Sequence, residues 1–435
     1  MKKNSLFLRK WNFILLFSNF IFSWSITSLA TTYTDTQIEN TLRGPYANWG
    51  ITPSVGQTLE KELASKRGKK DSNKSKILND VVPAESPDIK LESALKIFDK
   101  TQDVIVVVID TGIDLNHPHL KDNIIAIKEL DEKGTSFEVV KATDSNYGKD
   151  FSDLKKITNT PKDTHGHGTH VSGLVKSIFL DVKVLALKYF IPENTGQQNT
   201  DSSIAAMKYV AKIAKSNLSK NYKFVINFSG GGPGSNFEEQ MAIYELMKAD
   251  VLLVAAAGNF DKNIDDTKNK TNEYFPASYD LIEFAKSQGE NTKKLVTDNI
   301  IAVAGINKNN KLHSSSNYGK KSVDIAAPGT DINSSTRSLG SIDQTSTEKM
   351  TGTSQATAFV TGTACLLMSM FPKLPSAVIK NLILFSSDKL KTLEHFVASK
   401  GKLNANKAIK LGIALQERLN QPKSKTSKIK RLAKK

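Results

Sequence analysis

Three short segments of this 435-residue chain carry side chains whose types and spacing suit acyl transfer. The run Val106-Val-Val-Ile-Asp-Thr-Gly-Ile-Asp114 is a buried-strand pattern that delivers Asp110 to its end, where Gly112 stops it. A carboxylate so placed is suited to accept the Nδ1–H of a histidine and to stabilise its cation. The segment Asp163-Thr-His-Gly-His-Gly-Thr-His-Val-Ser-Gly173 puts His167 at the first turn of a helix running through Val171, Leu174 and Val175. In Met350-Thr-Gly-Thr-Ser-Gln-Ala-Thr-Ala358, Ser354 opens a long apolar helix reaching about Met370. A serine at a helix start offers both its Oγ and a backbone N–H that has no partner within the helix. Each segment alone is weak. Nucleotide- and metal-binding proteins also end strands in Asp, and an isolated Gly-Thr-Ser is most simply an N-cap. His165, His167 and His170 crowd together as metal ligands would, though no carboxylate or cysteine completes a familiar spacing. His170 reads better as structural and His165 as exposed. A fourth element fits the acyl-transfer scheme: the apolar run Val251–Ala257 ends in Gly258-Asn259, whose amide can supply a second donor to an oxyanion beside the Ser354 N–H.

Such groups need a rigid frame. Continuous apolar runs recur at Val104–Ile109, Val182–Leu187, Phe224–Phe228, Val251–Ala257, Ile300–Ala304 and Val323–Ala326. Between them lie segments of helical period, for instance Ile204, Met207, Ala211 and Ala214, then Met241, Tyr244 and Met247. Unbroken apolar strands alternating with helices imply a mostly parallel central sheet covered by helices on both faces, an α/β fold of three layers. This domain is expected over 87–412. In open sheets of that kind, catalytic groups collect at the carboxyl ends of the strands. Two polar stretches, 121–160 and 261–298, read as surface insertions.

Taken in the order Asp110, His167, Asn259, Ser354, these motifs resemble the subtilisin-like serine proteases, or subtilases, in which the triad runs Asp…His…Ser. The similarity spans about Val104 to Ala408. Val225-Ile-Asn-Phe-Ser-Gly-Gly-Gly232 is similar to the family's substrate-binding strand, which implies that Ser229, Gly230 and Gly231 pair with the peptide backbone and line the pocket for the residue before the cut. Phe275-Pro-Ala-Ser-Tyr279, Ile301-Ala-Val-Ala-Gly305, Ile325-Ala-Ala-Pro-Gly329 and Gly401-Lys-Leu-Asn-Ala405 also match. The resemblance implies a serine endopeptidase acting on protein or peptide substrates. Ser354 attacks, His167 is the base, Asp110 supports the imidazolium, and the Ser354 N–H with Asn259 holds the oxyanion. The substrate is expected to lie extended between Phe228–Gly231 and the segment near Thr195–Gln198. Small Gly230 and Gly231 suggest an open pocket for apolar or broad side chains.

Composition places the molecule. The net charge of +16 is concentrated at the ends: the first thirty residues and the last fifteen hold basic side chains and no acid. The middle is only mildly basic, which argues against a nucleic-acid partner and leaves the tail from 413 to 435 to contact an anionic surface. Basic residues Lys2–Lys10, the apolar stretch Phe13–Leu29 and the small residues at Ser28 and Ala30 read as a signal peptide over 1–30, hence an exported protein. The single Cys365 precludes an intramolecular disulfide and reads as a buried thiol. A monomer is expected.

The departures from the family matter too. After Ser354 the family usually has Met-Ala-x-Pro-His, whereas here Gln355, Ala358 and Phe359 stand in three of those places. The stretch between Gly173 and Lys183 is too short for the family's calcium loop, so no cofactor is required, and the acidic insertions leave room for weak calcium binding without a ligand pattern. Pro45–Ile51 resembles the start of a mature domain, which leaves 31–86 as an N-terminal segment with a Lys-rich loop, or as a short or atypical propeptide.

Overall fold

The alternation along Asp103–Asp110 (β1) shows how the layers arise. Val104, Val106 and Val108 enter one buried cluster, and Ile105, Val107 and Ile109 enter another on the opposite face. Successive strand side chains point to opposite faces, so a strand apolar at every position must be covered twice. The strands Lys183–Lys188, Tyr222–Phe228, Leu252–Ala256 and Ile300–Ile306 repeat the pattern.

The computed structural model describes residues 88–291, 297–337 and 346–420. The expected signal peptide (1–30), the N-terminal segment (31–86) and the residues from 421 onward lie outside the described residues. Helix α1 (Leu91–Leu95) precedes β1. Then come β2 (Ile125–Glu129), β3 (Phe137–Lys141), β4 (Gly148–Asp150), α2 (His167–Ile178), β5 (Lys183–Lys188) and α3 (Gly196–Ala214). Next are β6 (Tyr222–Phe228), α4 (Phe237–Lys248), β7 (Leu252–Ala256), α5 (Leu281–Ser287) and β8 (Ile300–Ile306). They are followed by β9 (Ile325–Pro328), β10 (Ile332–Ser335), β11 (Thr347–Met350), α6 (Thr353–Met370) and α7 (Ser376–Phe385). The described chain closes with β12 (Asp388–Lys389), β13 (Gly401–Lys402) and α8 (Ala405–Asn420).

Nine strands form one sheet in the order β12-β13-β9-β8-β7-β6-β1-β5-β4, parallel except at the β12–β13 pair. Helices α2, α6, α7 and α8 fill the first face and α3 and α4 the second. This is the expected three-layer arrangement. Helix α6 is buried from Thr353 to Ser369 and crosses α2, where Gly362 lies so close to Ile178 that a methyl group would come within 2.7 Å of its Cβ. No described helix is long and apolar enough to cross a membrane.

Two expectations need correction. The stretch 121–160 is not merely a surface insertion: Ile125, Ile127, Phe137 and Phe151 are buried, β2 and β3 pair antiparallel, and β4 adds the last strand beside β5. The domain also runs past 412, because α8 continues to Asn420 with Leu411 and Leu415 buried in the first core.

Candidate active site

Strand β1 lies between β5 and β6, and its last residue, Asp110, is buried. The adjacent helix α2 starts at His167, and Gly168 makes the approach possible: a side chain there would overlap the Gly112 carbonyl. His167 Nδ1 donates to Asp110 Oδ1 at 2.8 Å, and the Thr111 N–H donates to the same oxygen at 2.7 Å. With Nδ1 committed to the carboxylate, Nε2 is the imidazole nitrogen left to accept a proton. Burial would depress the His167 pKa, but the Asp110 carboxylate, with Asp163 further off, holds it above the ordinary imidazole value. The His167 side chain keeps 21% of its surface exposed, against 4% for Asp110.

The turn before α2 is clamped by Asp163. Its Oδ1 accepts from the Thr111 hydroxyl at 2.9 Å and from the N–H groups of His165 and Gly166 at 2.9 and 2.8 Å. Its Oδ2 accepts from the Thr169 N–H and hydroxyl at 3.0 and 2.6 Å. Burial would raise the pKa of this carboxyl, yet the hydrogen bonds from Gly166, Thr169 and His165 hold it below the ordinary carboxylate value. The unpaired N–H groups at the start of α2 thus find a partner, and the same group ties that helix to the end of β1.

Ser354, second residue of α6, is buried. Its hydroxyl donates to the Ser229 carbonyl at 3.3 Å, and the Ser229 hydroxyl donates to the Ser354 carbonyl, also at 3.3 Å. Asn259 is fixed by Thr353: its Oδ1 accepts from the Thr353 N–H at 2.8 Å and hydroxyl at 3.1 Å. The amide oxygen being committed, the Nδ2 hydrogens are the end left available beside the start of α6. This network joins Asn259 to Thr353 and Ser229 to Ser354 at the carboxyl ends of β6 and β7, while Asp110 and His167 meet one strand away.

A family description, the subtilase family, matches residues 101–405. The chain belongs to the subtilases.

Among curated proteins, this subtilase is 29% identical over 340 residues to Subtilisin-like protease 1 of Plasmodium falciparum, a match covering 73% of this chain and 46% of that one. It is 27% identical over 279 residues to the Major intracellular serine protease of Bacillus subtilis, covering 62% and 70%. The chain thus spans about half the length of the Plasmodium relative. A chain from a structure concerning the assembly of subtilase cytotoxin SubAB superposes with a TM-score of 0.56 at 23% identity, over 79% of this chain and 97% of that one. That likeness concerns the fold.

The remaining sequence-predicted residues of the subtilase site fall beyond β6. Ser229 is half-buried and also accepts from Asn227 Nδ2 at 3.0 Å; Gly230 is half-buried and Gly231 exposed. The Tyr189 hydroxyl stands where a Gly230 side chain would go. The opposite edge near Thr195–Gln198 is not extended. Thr195 caps α3, its hydroxyl accepting from the Gln198 N–H while Gln198 Oε1 accepts from the Thr195 N–H. Those groups serve the helix, so they do not pair with a peptide. His165 is exposed, and His170 is buried with Nε2 near the Ile332 and Glu348 carbonyls at 3.1 and 2.9 Å.

Sequence reasoning assigned no role to two buried positioning residues. Asp163 is one. The other is Asn317, whose Oδ1 accepts from the Phe260 and Lys262 N–H groups, both at 3.0 Å, while its Nδ2 donates to the Ala257 carbonyl at 2.8 Å. Asn317 therefore shapes the turn that carries Asn259. The Asp-x-His-Gly spacing, an acid just before a helix start, could have flagged Asp163. Nothing local marks Asn317.

Proposed function

We propose that the chain is an exported serine endopeptidase that hydrolyses protein or peptide substrates through an acyl-enzyme. The observation that carries this reading is the 2.8 Å bond from His167 Nδ1 to Asp110, made at the same carboxyl edge of the sheet where, one strand away, a helix-start serine and an asparagine amide clipped to its helix lie. In this reaction Ser354 Oγ rotates from the Ser229 carbonyl and attacks the scissile carbonyl carbon, while His167 Nε2 takes the hydroxyl proton. The Asp110 carboxylate stabilises the resulting imidazolium. The carbonyl oxygen, now an anion, receives hydrogen bonds from the Ser354 N–H and Asn259 Nδ2. His167 returns its proton to the leaving amine, and a water molecule, deprotonated by the same imidazole, releases the acid product and regenerates Ser354.

No step draws on a metal or other cofactor. Between Gly173 and Lys183 the chain closes as the end of α2 and a short turn, where Lys176 sets its ammonium on the His119 carbonyl oxygen. That carbonyl is capped by a cation from the chain itself. Export rests on the N-terminal sequence alone. A peptide-binding subtilase without turnover is the second reading, favoured by the Ser354–Ser229 bond, which holds the hydroxyl on a carbonyl.

A serine-directed fluorophosphonate separates the two. We expect it to label Ser354, and we expect casein to be cut by the native chain and not by Ser354→Ala. A folded protein that is neither labelled nor active on casein would overturn the peptidase reading.

A further inference from the structure

The strand ends that flank Ser354 also define where a substrate side chain must go. Strands β6 and β7 pair in parallel, Phe228 opposite Ala255, and their continuations Ser229–Gly231 and Ala257–Asn259 leave a gap between them. Ser354 closes one end of that gap through Ser229, and Thr353 closes it through Asn259. On the reading proposed above, the scissile carbonyl oxygen points at Asn259 Nδ2 and the Ser354 N–H. The side chain of the same residue then hangs between the two continuations.

That gap is filled. The Tyr274 ring spans it from wall to wall. A methyl group on Gly231 would lie 2.6 Å from Tyr274 Cε1, and one on Gly258 would lie 3.0 Å from both Cδ2 and Cε2. Gly231 and Gly258 also have φ of +147° and +99°, where a side chain is disfavoured on backbone grounds as well. Both walls are therefore bare backbone laid against the same aromatic ring, with the Phe275 carbonyl oxygen also close at Gly231 and Asn317 Nδ2 also close at Gly258. The glycines that suggested an open pocket in the sequence are what let the tyrosine in.

The plug is anchored. Phe275, next in the chain, exchanges two backbone hydrogen bonds with Gly232, at 3.1 and 2.8 Å. The Tyr274 N–H donates to Ser278 Oγ at 3.1 Å, and the Ser278 N–H donates back to the Tyr274 carbonyl at 2.9 Å. Phe260 places its ring 6.0 Å from that of Tyr274 while remaining 62% exposed, so it forms a lip on the outer side. Tyr274 itself is only 9% exposed. On the neighbouring side the Tyr189 hydroxyl closes the space beside Gly230, its ring packed 5.4 Å from Phe228.

We infer that Tyr274 is a specificity-determining residue: it makes the recess beside Ser354 shallow and restricts cleavage to the carboxyl side of small residues such as Gly, Ala and Ser. This rests on the peptidase reading. A Phe or Leu side chain entering the recess must displace a ring pinned at its backbone and covered by Phe260. Exclusion of this kind is worth at least about tenfold in kcat/KM.

The test uses the purified full chain and tetrapeptide amides that differ only in the residue before the cut, with rates referred to the fraction of Ser354 labelled by a fluorophosphonate. We expect kcat/KM for Ala to exceed that for Leu and Phe by at least about tenfold. In Tyr274→Ala the Phe-to-Ala ratio should rise at least about tenfold. Tyr274→Phe should retain the native ratio, because the ring and not the hydroxyl fills the gap. Native enzyme that cuts after Phe or Leu as readily as after Ala overturns the inference, even if Tyr274→Ala fails to fold. A labelled, active native enzyme whose selectivity is unchanged in Tyr274→Ala overturns it too. No labelling and no cleavage of any peptide would instead remove the peptidase reading beneath it.

Discussion

The two ends of the central sheet use buried charge in opposite ways. At the amino ends of β8 and β9, Lys380 Nζ lies 2.8 Å from Asp298 and 3.5 Å from Asp324, with the Ile300 carbonyl as a third partner. The carboxylates are occupied as well: Asp298 accepts from the Ile300 N–H and Asp324 from the Ala302 N–H, both at 2.9 Å. Burial alone would lower the Lys380 pKa, but the two carboxylates hold it above the ordinary lysine value. At the carboxyl ends, Asp110 and Asn259 are bound just as firmly, yet each commits only part of its capacity. Asp110 grips one imidazole nitrogen and leaves the other open, and Asn259 spends its oxygen and keeps its amide hydrogens. Where these polar groups serve architecture, each is bound to charged or backbone partners of the fold. Where they serve chemistry, the geometry is over-determined and one atom is left unspent.

That contrast can be broken by experiment. The largest effect should come at the carboxyl end: Ser354→Ala should lower kcat by a factor on the order of 10⁶, a magnitude known for this family, while the unfolding free energy changes by only about 0.5–1.5 kcal/mol. Lys380→Met should do the reverse. It leaves two facing carboxylates without their cation and should cost about 3–5 kcal/mol of stability in denaturant titration, with kcat of the folded enzyme unchanged. Loss of activity there would erase the distinction between the two ends. Asn259→Leu is intermediate, expected to reduce kcat by roughly 10²–10³ with little change in KM, again a family magnitude.

Proton dependence sharpens the comparison further. His167 has a folded pKa above its ordinary 6.5. The base role proposed for it needs the neutral ring, so activity should fall as pH drops through a value above 6.5, and Asp110→Asn should move that inflection down. Its stability contribution has the opposite sign: the ion pair with Asp110 is fully present below the unfolded value of 6.5 and is lost as pH rises through the raised one. His119 and His170 act the other way. Burial, and then Lys176 for His119, lowers each pKa from 6.5 to about 4. Their stability contribution is present above 6.5 and lost as pH falls to about 4. Denaturant titrations of Ser354→Ala between those limits should show a decline on acidification that His119→Gln flattens, the smallest of these effects. An unchanged slope would mean that His119 does not titrate differently in the folded state.

Much of the frame was legible because a parallel strand covered on both faces must be apolar at every position. Val104–Ile109 and Val251–Ala257 could be recognised with no knowledge of their neighbours, and so could Asp110 and Asn259 at their ends. Strand β4 was not, since its three residues, Gly148–Asp150, carry no apolar signal and owe their conformation to pairing with β5. The helical start at Thr195 does have a local sign, a threonine followed three residues later by glutamine. The Tyr274 plug had none. Glycines at 231 and 258 announce that something approaches closely, but the identity of the approaching group is decided by a loop remote in sequence. Asn317 was hidden for the same reason.

The position of β1, between β5 and β6, has a consequence for how populations of this molecule behave. The strand that carries Asp110 can be completed only after two later strands arrive, and α6 must then pack on the assembled sheet. Folds dominated by such distant contacts form slowly. On the peptidase reading, every slow folder is exposed bait beside its finished siblings. Refolding yield should therefore fall as protein concentration rises even without aggregation, and an inhibited or Ser354→Ala population should be spared.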